Sequence, residues 1–181
     1  MALTQVAGGM LAGSITSSQI TSVSASTLTG TQTIPKSTLP TGCILQVVNA
    51  TYSSVSTTTS ETFADSGLTV SITPTSSTSK VLVFLSVNGI YKAGSDCALK
   101  SQLVRNSTAL SYIDAMTPYT GSTTTAGGTV SFNYLDSPAS TSSTTYKVQI
   151  ASSNAGRGVQ INQYPSGLGS VSAITVMEIS A

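Results

Sequence analysis

The chain has 181 residues, only 7% of them charged, with a formal net charge of +1. A typical soluble protein is roughly 25% charged, and so weak a field leaves no footprint for nucleic acid or an anionic membrane surface. Histidine is absent, which removes the commonest general base and the commonest metal ligand.

In place of charge the chain carries 33 Ser and 29 Thr. Hydroxyls must therefore keep the surface wet. Disorder is not implied, because 39% of residues are apolar and mean hydropathy is +0.23, whereas disordered chains combine low hydropathy with high net charge. No apolar stretch approaches the roughly 18 to 20 residues of a membrane span. No Lys or Arg precedes Lys36, so a secretory signal would lack its basic start. Membrane insertion is not expected.

Residues 1–41 form the first segment. Leu11, Ile15, Ile20, Leu28 and Ile34 stand singly among Ser, Thr, Gln and Gly. That spacing fits neither a helix nor a strand, and it buries too little to offset the entropy of ordering the segment alone. A solvated tail has no need of these residues. The segment is read as an extended arm whose isolated apolar side chains dock on neighbouring molecules. Ile34-Pro35 and Leu39-Pro40 stiffen its exit, since a residue before proline is held extended.

Residues 42–181 read as strand after strand. Cys43 to Val48 comes first; Leu68, Val70 and Ile72 then alternate with polar residues. The longest apolar run follows, Val81 to Ile90. From Val81 to Leu85 no polar residue marks an outer face. A buried helix is the rival reading, but the run is short, Val-rich and broken by Asn88-Gly89, which favours a strand. Leu99 to Arg105 and Ala109 to Asp114 are next, with a turn at Asn106-Ser107. Residues 117–128 read as a long Gly/Thr loop. Val130, Phe132 and Tyr134 alternate, as do Tyr146, Val148 and Ile150. Val159 to Ile161 and Val171 to Ile179 close the chain. Eight to ten strands with turn chemistry between them predict an all-β sandwich, a jelly roll by strand count.

The chemistry-bearing residues are sparse. Glu61, Asp65, Asp96, Asp114, Asp136 and Glu178 are scattered singly and read as solvated or turn-capping acids, not as the carboxylate pair of a glycosidase. No serine can be activated by histidine. Gly127-Gly128 and Gly156-Arg-Gly158 lack the strand-to-helix context of a phosphate loop. Cys43 and Cys97 are read as two buried thiols rather than one disulfide, and two Cys without His make no ordinary zinc site. No catalytic residue, cofactor site or metal site is expected. Tyr119, Arg157 and Tyr164, in or beside predicted loops, are the candidates for ligand contact.

One resemblance runs through the chain. Residues 34–48 (Ile-Pro-Lys-Ser-Thr-Leu-Pro-Thr-Gly-Cys-Ile-Leu-Gln-Val-Val), Ser79-Lys-Val-Leu-Val83, Leu103-Val-Arg-Asn106, Tyr134-Leu-Asp-Ser-Pro138, Thr145-Tyr-Lys-Val148 and Ile174-Thr-Val-Met-Glu-Ile179 occur in the order that resembles trimeric virion proteins of tailed bacteriophages, especially cyanophages. These are tail or neck fibres and capsid decoration (cement) proteins with jelly-roll domains. The resemblance implies a homotrimer on the surface of a phage particle, bound to other virion proteins and without enzymatic activity. A fibre-tip module that binds a host receptor or glycan is the alternative. On the trimer reading, sister subunits cover the second face of the apolar run, and Val81, Val83, Leu85, Val87, Ile174 and Val176 form the contact.

Overall fold

The structure is a computed structural model that describes residues 39–122, 125–164 and 167–181. The arm residues Leu11, Ile15, Ile20, Leu28 and Ile34 lie outside the described residues. The compact unit Leu39–Ala181 is all-β, with no helix among the described residues.

Ten strands build it: β1 (Ile44–Tyr52), β2 (Ser56–Thr58), β3 (Ala64–Ile72), β4 (Lys80–Ala93), β5 (Cys97–Arg105), β6 (Thr108–Thr120), β7 (Thr125–Asp136), β8 (Thr144–Ser152), β9 (Val159–Ile161) and β10 (Ser172–Ile179). Every pairing is antiparallel. One sheet runs β1-β10-β4-β7, with β9 and β2 attached beside the far end of β4; the other runs β3-β8-β5-β6. Eight long strands divided this way make a jelly roll.

Alternation explains the core. Leu68, Val70 and Ile72 of β3, Tyr146, Val148 and Ile150 of β8, and Leu99 and Leu103 of β5 face Val81, Val83, Leu85 and Val87 of β4 and Ile174 and Val176 of β10, all buried. In a strand only every second side chain reaches that layer. The expected subunit contact is thereby corrected. Val81, Val83, Leu85, Val87, Ile174 and Val176 are covered by the second sheet of their own chain, so no neighbour is needed to hide them.

Two further expectations change. Residues 117–128, read as a loop, belong largely to strands: β6 continues to Thr120 along β5, and β7 begins at Thr125 along β4. The cysteines are both free; Cys97 is buried, but Cys43 is only half-buried and precedes β1.

Candidate functional site

Two polar clusters occupy the end of the sandwich where β4 begins. Arg105 of β5 donates from Nη1 to both carboxylate oxygens of Asp136, each at 2.8 Å. The buried Tyr146 hydroxyl donates to Asp136 Oδ2 at 2.6 Å. Asp136 ends β7, while Arg105 and Tyr146 belong to the other sheet, so the cluster clips the sheets together. Burial, the Asp136 hydrogen bond and the Asp136 charge push the Tyr146 phenol well above its usual value, against the opposing Arg105 charge.

Glu178 is the second cluster. It accepts from Gln46 Nε2 at 2.6 Å and from Thr75 N and Oγ1, each at 2.7 Å. Burial works to raise its pKa. The bonds from Gln46 and from the Thr75 hydroxyl and backbone outweigh it and hold the carboxyl below its usual range. Asp136 and Glu178 are therefore not solvated acids, as their isolation in the sequence suggested. Both are buried and structural.

Among the described residues no group of three His, Cys, Asp or Glu side chains could hold a metal ion, and no helix is long and apolar enough to cross a membrane.

The surface offers more. Residues of the first sheet that point away from its core lie in rows across four strands. Val47, Met177, Leu82 and Leu135 make one row; Asn49, Thr175, Phe84 and Asn133 the next; Thr51, Ala173, Ser86 and Ser131 the third. Ile44, Ile179 and Lys80 lie one row beyond the first. Across these rows Lys80 is the single charge. Ile44, Val47, Phe84 and Leu135 are 55%, 54%, 43% and 52% exposed. Beside Phe84, the small residues Ser86, Ser131 and Ala173 leave a shallow hollow of about 350 Å³. Lone exposed apolar residues need no explanation, but a contiguous patch marks an interaction site. Periodicity placed an apolar second face on this run; its members are Leu82 and Phe84, the residues between those expected.

The opposite end of the sandwich carries two of the three ligand candidates. The Tyr119 hydroxyl donates to Asp96 Oδ1 at 2.6 Å. This bond, with the Asp96 charge, raises the Tyr119 phenol above its usual value. Asp96 is in the β4–β5 turn, and Arg157 packs its stem against Gly94 of the same turn. Tyr164 sits elsewhere, in the β9–β10 loop, where its N–H donates to Leu168 O at 3.0 Å. A third aromatic site lies on the outer face of the second sheet, around Tyr112, another tyrosine beside a predicted loop. There Phe63 and the exposed Tyr112 pack with centroids 5.9 Å apart, and Lys100 lies 5.8 Å from the Phe63 ring.

No protein-family model matches the chain, and no curated protein matches it. Solved structures give a faint likeness. The infectious bursal disease virus VP2 subviral particle aligns at 16% identity and a TM-score of 0.34, over 74% of this chain and 39% of that one. A structure of the Gx strain of the same virus aligns at 14% identity and a TM-score of 0.33, over 84% and 44%. The chain spans less than half the length of either.

Proposed function

We propose that this chain is a non-enzymatic structural protein of a phage particle, a capsid decoration protein or short fibre. It works as a homotrimer held by the outer face of the β1-β10-β4-β7 sheet, and residues 1–41 anchor it to other virion proteins. The observation that carries the reading is that face: four rows, seven large apolar side chains, and one charge at the margin.

Further copies of the same chain cover this face. Strand spacing and rise give the face roughly 400 Å², half of the roughly 800 Å² per partner in a standard interface. A dimer closed through this face alone falls short. In a ring each copy meets two neighbours, so the face is joined by a second surface and the buried area doubles. Phe84 and the hollow beside it supply a knob and a socket on one face. The virion setting rests on the ordered motifs of residues 34–181.

Sedimentation of the full chain at micromolar concentration tests the assembly. A trimer is expected, with Leu82→Lys plus Leu135→Lys giving a folded monomer. A stable wild-type monomer removes the reading. Deleting residues 1–33 should abolish attachment to particles while the trimer persists; retained attachment counts against the anchoring role.

A further inference from the structure

We propose that the end of the sandwich built by Tyr119, Asp96, Asn154 and Arg157 binds an acidic saccharide. The chain enters the sandwich at β1, beside the start of β4. Tyr119 and Asp96 lie past the other end of β4, whose 14 residues span roughly 45 Å. The site therefore lies at the end of the sandwich opposite the point where the chain enters it. The binding chemistry itself does not depend on the trimer.

The site is held in place before any ligand arrives. Asp96 takes a left-handed φ of 56° in the turn between β4 and β5, which exposes its carboxylate. The Tyr119 hydroxyl anchors on one oxygen of that carboxylate, and Oδ2 stays open to a ligand. Lys92 is fully buried, donates to Thr120 O at 2.8 Å and lies 6.0 Å from the Tyr119 centroid. Because Tyr119 is 46% exposed, this buried ammonium sits on its protein side and supports the ring from below.

Arg157 completes the arrangement from a different loop. Its N–H donates to Asn154 O at 3.2 Å, and Asn154 Nδ2 donates to Asp96 O at 3.2 Å. A Cβ on Gly94 would meet Arg157 Cδ at 3.1 Å, so glycine lets the arginine stem lie flat on the turn. Among the described residues none forms a hydrogen bond or ion pair with the exposed guanidinium.

The four groups divide the recognition of one ligand. The apolar face of a sugar ring stacks on an exposed, rigid tyrosine. Vicinal hydroxyls donate to Asp96 Oδ2 and the Asn154 side-chain oxygen. A planar carboxylate on the sugar matches the two-pronged guanidinium of Arg157. Lys92 and Arg157 against the single carboxylate of Asp96 leave the site net positive, which selects an acidic sugar over a neutral one.

Titration calorimetry of the full chain with tetragalacturonate, maltotetraose and inorganic sulfate tests this. Tetragalacturonate alone should bind. Arg157→Ala and Tyr119→Ala should each weaken it at least about tenfold, the scale of one charge-assisted or aromatic contact. Tyr119→Phe, which keeps the ring but loses the anchor on Asp96, should weaken it by less than Tyr119→Ala does. Arg157 is exposed and unpaired, so its variant folds and keeps the test decisive if Tyr119→Ala does not. Equal binding of maltotetraose overturns the acidic class, and binding of sulfate alone overturns the saccharide. No binding of tetragalacturonate at millimolar concentration, or binding indifferent to Arg157→Ala, overturns the site.

Discussion

Replacing Asp136 by alanine removes the acceptor at the centre of the cross-sheet clip. Two partners lose it together: Arg105, whose side chain keeps 25% exposure, and the fully buried Tyr146 hydroxyl. Breaking a buried ion pair from one side costs about 3–5 kcal/mol. Arg105 recovers part of that by turning to water, while the stranded phenol adds about 1–3 kcal/mol. A net loss of about 4 kcal/mol follows from these opposing corrections. For a unit of about 140 residues, the unfolding entropy converts this to a fall in Tm of roughly 13 °C. Far-UV circular dichroism during heating reads it directly. Tyr146→Phe leaves Asp136 paired with Arg105 and should cost only about 1 kcal/mol. Asp65→Ala breaks the exposed Lys147 pair on the outside of the second sheet and should cost less than about 1 kcal/mol. An Asp136→Ala protein as stable as Asp65→Ala would refute the clip.

Three further outcomes are expected. Val83→Ala should lower stability by about 2–3 kcal/mol through an internal void without changing the sedimenting species, whereas Leu82→Ser should leave Tm nearly unchanged and weaken the proposed trimer; melting and sedimentation of both separate the inner and outer faces of β4. Glu178 and Asp65 both have lowered pKa values in the fold, Asp65 chiefly through its Lys147 and Gln149 hydrogen bonds. The stability they supply is present above the ordinary carboxylate range and is lost as pH falls through their folded values; denaturant titrations from pH 6 to 2 should show this fall blunted in Glu178→Gln, in accord with linkage. Gly89 has a φ of 57°, and a Cβ there would collide with Ser170 Oγ and come within 2.7 Å of Gln163 N. Gly89→Ala should therefore destabilise the fold by more than about 1 kcal/mol and speed amide exchange at Asn162, Gln163 and Ser170, which hydrogen exchange can measure.

Much of the fold was legible because alternation is a local property. Leu68, Val70 and Ile72, then Tyr146, Val148 and Ile150, announce a buried face every second residue, and β3 and β8 follow them. β2 escaped notice because Ser56–Thr58 is three polar residues, paired only because β9 lies beside it. The Gly/Thr stretch at 117–128 looked like a loop, yet β5 and β4 supply partners that hold most of it extended. Pairing overrides propensity at such positions. Asp136 and Glu178 looked solvated because their partners are remote: Arg105 is 31 residues from Asp136, and Gln46 is 132 from Glu178.

The amino-acid order alone determined a sparsely charged, hydroxyl-rich all-β chain with one dominant apolar strand and no histidine chemistry. It could not determine which side of that strand turns inward, because Val81 to Leu85 is apolar at every position and either parity buries well. Contact with β3, β8 and β5 made the choice, drawing Val81, Val83, Leu85 and Val87 into the interior. Leu82 and Phe84 were left on the outer face by the two-residue period of a strand. That selection by a second sheet, formed from residues far along the chain, is what only the tertiary structure decided.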